Sequence, residues 1–141
     1  MPQEKTYVHV ANIGVGKAFD SKYKSSLPKV MKAAAEKAIN KSSKLTTKPS
    51  KDKKAKAFYL DGNLFKLNKV TKGNKETIEG EIKLQLADFP KKSMWGFASS
   101  SGKLPDPNPR RIDKDVEWLV AEIVETAVKK DVVKAFEAKI K

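Results

Sequence analysis

The chain has 141 residues and a mass of 15.7 kDa, enough for one domain and too little for two substantial cores. Apolar residues make up 39% and charged residues 33%, and the formal net charge is +13. Cysteine is absent, which excludes disulfides, thiolate metal sites and cysteine nucleophiles; the single histidine, His9, excludes sites that need two imidazoles. No apolar run reaches the roughly 20 residues of a membrane-spanning helix.

The positive charge is concentrated in the first half of the chain. Residues 1–60 hold fourteen lysines and four acids, whereas residues 61–141 hold sixteen cations and thirteen acids. Residues 41–56 are the densest stretch, with seven lysines among serines and a proline and almost nothing to bury. We therefore expect a single domain over residues 1–141 that carries a mobile, lysine-rich loop at residues 41–56.

The first elements along the chain are a strand and a helix. Residues 6–13 alternate between apolar and polar positions, which predicts a strand that ends at Gly14 and Gly16. Residues 17–26 are polar and predict a loop. A helix capped by Ser25 or Ser26 is then expected to run to about residue 41, with apolar positions at helical spacing: Leu27, Val30 or Met31, Ala34, Ala38 and Ile39.

A hairpin follows. Residues 58–70 have strand composition with a break at residues 61–63, which predicts a bulge, and residues 72–75 predict a turn. The next strand has the clearest alternation in the chain, with one dry face formed by Ile78, Gly80, Ile82, Leu84 and Leu86.

The last elements are a further strand and a long helix. Residues 94–100 predict either a continuation of the preceding strand or a third pairing strand after the break at Pro90, and residues 101–109 predict a proline-rich loop. Residues 112–140 predict a helix capped by Asp113. The order β-α-β-β-(β)-α predicts an α+β fold, a two-layer sandwich in which two helices cover one antiparallel or mixed sheet.

Catalytic motifs are weak in this sequence. Residues 11–17, Ala-Asn-Ile-Gly-Val-Gly-Lys, approach a phosphate-binding loop, but Ala18 stands where the magnesium-binding hydroxyl is needed. Glu79 and Glu81 lie on the polar face of an alternating strand, where pairing with lysines is the ordinary role. We expect no enzymatic activity, no cofactor and no metal site.

Two other segments suggest binding. Residues 8–13, Val-His-Val-Ala-Asn-Ile, approach a signature of sheet-based RNA-recognition domains, so Tyr7 and His9 could form a nucleic-acid face with Trp95, Phe97 and nearby lysines. Residues 87–102 place several aromatic side chains close together, which fits either a core strand or an exposed recognition edge. The candidate partner-binding residues are Met94, Trp95, Phe97, Lys48, Lys51, Lys53, Lys54 and Lys56.

Three stretches within residues 56–130 carry a family resemblance. They read Phe58-Tyr-Leu-Asp-Gly62, Ala87-Asp-Phe-Pro90 and Lys92-Ser-Met-Trp-Gly-Phe97. Together with the long final helix they resemble a family of small secreted envelope proteins of Gram-negative bacteria. The order of elements is also similar to the α/β module of the TolB amino-terminal domain and of LpoB-type lipoproteins.

The resemblance implies a function that composition does not. It implies a non-catalytic docking or scaffolding module, periplasmic or secreted, whose partner is an envelope protein. The lysine excess separately favours an anionic surface, such as lipid head groups or glycans, as the partner. The opening residues Met-Pro-Gln-Glu-Lys lack the pattern of a secretory signal, which suggests either a mature form or a cytoplasmic protein. Single-stranded nucleic acid is the alternative partner.

Overall fold

The structure is a computed structural model that describes residues 5–52 and 54–140. A π-helical segment joins the two parts of the last helix, so the helix predicted over residues 112–140 is confirmed along its length. The α+β class predicted from the sequence is likewise confirmed. The elements are β1 (Thr6–Ala18), α1 (Tyr23–Asn40), β2 (Leu45–Thr46), β3 (Ala57–Lys72), β4 (Lys75–Phe89), β5 (Met94–Pro105), α2 (Ile112–Ala127), the π-helical Val128–Val132 and α3 (Val133–Ile140).

The five strands form one mixed sheet in the order β2-β1-β3-β4-β5. β1 runs parallel to both β2 and β3, whereas β3, β4 and β5 are successively antiparallel. The predicted hairpin of β3 and β4 is confirmed, with Lys72 opposite Lys75 at the turn and Ala57 opposite Phe89 at the other end. Since each residue of a strand adds about 3.3 Å, these two ends lie roughly 50 Å apart along the strands.

The helices pack on one face of the sheet and form the core with it. Every position of the predicted dry face of β4 is buried. In α3, Phe136 stacks on Phe58 of β3 with 4.6 Å between ring centroids. The helical stripes are buried as the spacing predicted, in α1 through Leu27, Met31, Ala34, Ala38 and Ile39, and in α2 through Val116, Leu119, Val120, Ile123 and Val124.

The prediction that β1 ends at Gly14 was wrong, because β1 continues to Ala18. Its parallel partner β3 extends as far, with Val15 opposite Leu64 and Ala18 opposite Leu67, so pairing carries the strand through the two glycines. Residues 11–17 therefore lie in an extended strand, and not in a loop that could wrap a phosphate.

The expected loop over residues 101–109 was wrong in its first half. Residues 101–105 belong to β5, where pairing with residues 77–81 of β4 outweighs the local Ser, Gly and Pro signals. At residues 60–62 the pairing of β3 with β1 is irregular, but the extra residue there lies in β1. The bulge of β3 itself lies between Leu64 and Lys66. There the extra residue is Phe65, whose side chain is 41% exposed.

Both predicted helix caps were wrong. α1 begins at Tyr23, ahead of the serines, and Asp113 lies inside the first turn of α2. The Tyr23 hydroxyl donates to Asp113 Oδ1 at 2.9 Å, and Lys22 Nζ lies 2.9 Å from the same oxygen. This long-range contact joins the first turns of the two helices, and it uses the Asp113 carboxylate that the sequence assigned to a local cap.

Residues 41–56 contact the rest of the fold at several points, which include a hydrogen bond from Ser42 to Glu137 and the contact of Lys56 with Lys139. Leu45 is fully buried and pairs with Thr6 through β2. Beside it, the Asn40 side chain donates to Thr47 Oγ1 and accepts from the Thr47 amide. The sequence did not predict this strand, because two residues are too few for a pattern; the mobility of the remaining stretch stays a prediction.

The contact between Tyr23 and Asp113 makes stability depend on alkaline pH. Burial, reinforced by the hydrogen bond to Asp113, raises the pKa of Tyr23 above its ordinary value of 10.0. A raised folded pKa contributes stability that is complete below about pH 10 and is lost as the pH rises further. We expect the melting temperature to fall less steeply between about pH 9.5 and 11.5 in Tyr23→Phe than in the wild type. Parallel curves of melting temperature against pH would contradict this.

Candidate binding site on the open sheet face

The second face of the sheet carries no helix in the described part of the chain. We call it the open face and define it by the outward-pointing residues Tyr7 and His9 of β1, Tyr59 of β3, Phe89 of β4 and Phe97 of β5. Outward positions alternate with the buried ones along each strand, so the alternation that builds the core also creates this face. Tyr7, His9, Tyr59 and Phe89 gather at the end opposite the turn between β3 and β4.

Four of these side chains form an aromatic cluster. His9 lies nearly parallel to Phe89 and to Tyr59, with centroid distances of 4.9 and 5.7 Å. Tyr7 meets Phe89 edge to face at 5.6 Å, and its hydroxyl lies 2.8 Å from His9 Nδ1. The cluster is half-buried by its own members, so it presents a rigid apolar surface with few free polar atoms.

The phenols of this cluster are not acidic groups at neutral pH. Burial, with a smaller effect of Glu36, raises the pKa of Tyr7, and burial followed by the neighbouring Asp61 raises the pKa of Tyr59. Both side chains therefore stay protonated. Within residues 5–52 and 54–140, no three His, Asp or Glu side chains come close enough to hold a metal ion. The arrangement is suited to contact and packing.

The structure separates residues that the sequence grouped together. Met94 and Phe97 are 53% and 64% exposed. Trp95 instead packs edge to face against Phe136 and Phe58 on the helix side, and its Nε1 donates to Asp88 at 3.2 Å. An irregularity in the pairing of β4 with β5 at Leu86 and Ala87 breaks the alternation at this point, so Trp95 turns toward the helices.

The predicted lysines lie near one end of the sheet. Lys48, Lys51, Lys54 and Lys56 are exposed, and Lys53 lies outside the described residues. Lys56 Nζ contacts the Lys139 carbonyl oxygen, so this lysine is directed toward α3.

A further lysine stands over the aromatic cluster. Lys92 Nζ lies 5.2 Å from the centre of the Tyr59 ring, a cation–π geometry. The Lys92 backbone has a φ of 57°, in the left-handed region that favours glycine or asparagine. Lys92 was not predicted as a site residue, because the sequence holds no local signal for a role of its side chain.

A cavity of about 320 Å³ opens beside the cluster. Tyr7 and Phe89 line it from the sheet, and Pro49 and Pro90 line it from the neighbouring loops. Four residues of the predicted mobile stretch therefore line one side of the cavity: Pro49, Ser50, Asp52 and Ala55. The remaining lining residue is Ala57.

Phe89 and Tyr59 were also missed as site residues, although their signal was in the sequence. Counting in steps of two from Glu79 along β4 reaches Phe89, and Tyr59 lies between the inward Phe58 and Leu60. The predicted pairing of these strands would have placed both side chains outward, on the same face as His9.

The fold is shared with solved structures of Gram-negative bacterial proteins, although no family model and no curated protein matches the sequence. A DUF330 family-model protein from Xanthomonas campestris has a TM-score of 0.68 at 10% identity, with 99% of this chain and 91% of that chain covered. The PelC dodecamer from Paraburkholderia phytofirmans has a TM-score of 0.61 at 8% identity, covering 89% and 87%. A minor lipoprotein from Acinetobacter baumannii has a TM-score of 0.57 at 6% identity, covering 96% and 94%. At these identities the likeness concerns the fold.

Proposed function

We propose that this chain is a non-enzymatic binding module of the bacterial cell envelope that docks an anionic protein or surface on its open face. The observation that carries the proposal is the aromatic cluster of Tyr7, His9, Tyr59 and Phe89, which the helices leave uncovered. An uncovered apolar patch on a chain of net charge +13 favours a partner with apolar and negative groups.

The fold supports the envelope location within this proposal. Proteins described as lipoproteins in Gram-negative bacteria share the architecture over nearly the whole chain. The finer resemblance to the TolB amino-terminal domain and to LpoB-type lipoproteins belongs to the same proposal, and so does the periplasmic or secreted location. Among the described residues no helix has the length and apolar character needed to cross a bilayer.

The chemistry of the site supports a role without catalysis. His9 is surrounded by aromatic rings, and its Nδ1 is hydrogen-bonded to Tyr7. A general base needs a reacting group within reach and a partner that holds its charge. The acids Glu79 and Glu81 instead face Lys103 and Lys66 as surface ion pairs.

Single-stranded nucleic acid remains the second candidate partner, because Tyr7 and His9 both lie on the open face as that hypothesis requires. Bases stack on aromatic side chains, and lysines track the phosphates. The two candidates make different predictions about salt. Stacking of bases on the aromatic side chains persists at high ionic strength, whereas purely ionic contacts with any polyanion weaken steeply.

The test is a titration of the full chain with poly-glutamate, heparin and a mixed-sequence single-stranded RNA at about 50 to 300 mM salt. Amide signals of the ¹⁵N-labelled protein locate the contact. We expect poly-glutamate and heparin to shift signals of the open face, near Tyr59 and Phe97, with RNA no tighter. Submicromolar RNA binding that survives the highest salt and is lost in Tyr7→Ala would establish the second candidate. Anionic probes that leave every open-face signal unmoved would refute both.

A further inference from the structure

We infer that the cavity beside the aromatic cluster holds the apolar side chain of an acidic peptide segment, whose carboxylates pair with the surrounding lysines. This inference rests on the proposed docking function and deepens it by naming the partner chemistry. Three features carry it: the walls of the cavity, the charge around it, and the conformation of Lys92.

The walls offer apolar surface and few free hydrogen-bonding groups. The Tyr7 hydroxyl is hydrogen-bonded to His9, Ser50 Oγ accepts from the Asp52 amide, and Asp52 Oδ1 accepts from the Lys54 amide. One polar atom of each of these three side chains is therefore already used in an internal contact. A sugar ring or a base edge needs several free donors and acceptors, whereas an apolar side chain needs none.

The volume of the cavity also fits a single apolar side chain. At about 320 Å³ the cavity is at the lower end of the range for ligand sites. It suits one large side chain or a small ring and is too small for the two acyl chains of a phospholipid. Ala55 and Ala57 keep this space open, because neither side chain extends into it far enough to fill it.

The surroundings are positively charged. Lys48, Lys51, Lys54 and Lys91 are exposed and each directly follows or precedes a cavity-lining residue in the chain. Three acids, Asp52, Asp61 and Asp88, lie nearby and keep their negative charge, since the N–H groups that bond Asp52 and Asp88 are neutral. The four lysines together with Lys92 outnumber them. An apolar group flanked by carboxylates complements this pattern.

The third feature is the backbone conformation of Lys92. Its left-handed backbone would be adopted more readily by glycine or asparagine, yet a lysine occupies the position and its amine stands over Tyr59. A residue kept in a disfavoured conformation is a reason to suspect a function for its side chain. Here that function is to supply a charge beside the cluster.

The experiment measures fluorescence anisotropy of two labelled heptapeptides, three glutamates on each side of a central Phe or a central Ala. We expect the Phe peptide to bind the full chain about tenfold tighter, because burial of the ring is the only difference. Ala55→Trp, which fills the cavity, should abolish this preference, and Ala55→Leu is a milder filling variant if the tryptophan impairs folding. Circular dichroism verifies that each variant is folded.

Lys92→Asn separates binding from folding. Asparagine tolerates the left-handed backbone, so we expect the melting temperature to be unchanged or raised while both glutamate peptides bind about threefold more weakly at low salt. Lys75→Asn is the matched control, because it removes the same charge at the turn end of the hairpin, roughly 50 Å away along the strands. It should weaken binding less than Lys92→Asn.

Several outcomes would overturn the inference. Equal affinity for the two peptides, or a Phe preference that persists in Ala55→Trp and Ala55→Leu, would show that the cavity does not receive the anchor. If single-stranded RNA or vesicles with anionic phospholipids bind more tightly and lose affinity in the filled variants, the ligand is of that class instead. The peptides could also shift the amide signals of the open face equally in the wild type and in the filling variants. That result would refute the role of the cavity but leave the docking function in place.

Discussion

Gly62→Ala is expected to destabilise the domain by about 3 kcal/mol or more. A Cβ atom at this position would lie 2.5 Å from the Lys83 carbonyl oxygen and 2.6 Å from Leu84 Cδ2. Both atoms belong to β4, which is held between β3 and β5. β4 cannot move away from Gly62 without breaking its hydrogen bonds to β5, where Leu84 pairs with Ala98. Urea unfolding followed by tryptophan fluorescence measures the change.

Gly96→Ala is the control for this substitution. A Cβ at residue 96 would meet Leu86 Cβ at 3.7 Å, an ordinary van der Waals distance. We therefore expect its effect to stay within about 1 kcal/mol, the usual cost of a well-tolerated change. If the two variants unfold at the same urea concentration, the close approach of β3 and β4 at Gly62 is not what requires a glycine there.

Gly62 illustrates what the sequence could and could not predict about the fold. The interruption at residues 61–63 was visible and was interpreted as a bulge. The bulge lies at Leu64 and Lys66 instead, and the glycine is needed for an approach between strands some twenty residues apart in the chain. Local patterns report the period of a strand, but they do not report which partner atoms come close.

Elements with strong periodicity were predicted well for the same reason. The dry face of β4 and the stripes of the helices follow from alternation and from helical spacing, which depend on burial alone. The residues at which a strand or helix begins and ends depend instead on the neighbouring elements that it contacts. β1 and β5 extend past glycines and serines because neighbouring strands continue beside them, and the first turns of α1 and α2 are fixed by the contact between Tyr23 and Asp113.

The candidate site was predicted in part. Tyr7, His9, Met94 and Phe97 were singled out from the sequence, and the structure places them outward on the sheet or exposed at its edge. Trp95 was grouped with Phe97, but one irregularity in strand pairing turns it to the opposite side. A single extra residue reverses the direction of a side chain, so grouping by distance along the chain fails wherever an unseen bulge intervenes.

The sheet has two aromatic clusters, one on each face at the same end, and they have different roles. Phe58, Trp95 and Phe136 lie on the helix side and stabilise the fold. The cluster of Tyr7, His9, Tyr59 and Phe89 lies on the open face. Because Phe58 and Tyr59 are consecutive, the core cluster holds the strand that presents the cluster proposed to bind a partner. Loss of the core cluster should therefore impair binding as well as stability.

Phe136→Ala tests the core cluster and is expected to cost about 3–5 kcal/mol, the usual range for removing a buried phenylalanine. Phe136 is the one fully buried side chain in the described residues of α3, and it stacks on Phe58 and meets Trp95 edge to face. Its removal leaves a cavity beneath α3 and exposes Trp95 to water. Urea unfolding measures the loss of stability.

The fluorescence of Trp95 provides a second, local measurement of the same change. The other tryptophan, Trp118, is 56% exposed on α2. Trp118→Phe removes its emission, so that Trp95 alone is observed, and should itself change stability by no more than about 0.5 kcal/mol. In that background Phe136→Ala should shift the emission of folded Trp95 to longer wavelength. A lowered stability with an unshifted spectrum would mean that α3 stays docked and the loss arises elsewhere. An unchanged stability would mean that α3 contributes little, and that the open face is held in place by the sheet and the remaining helices alone.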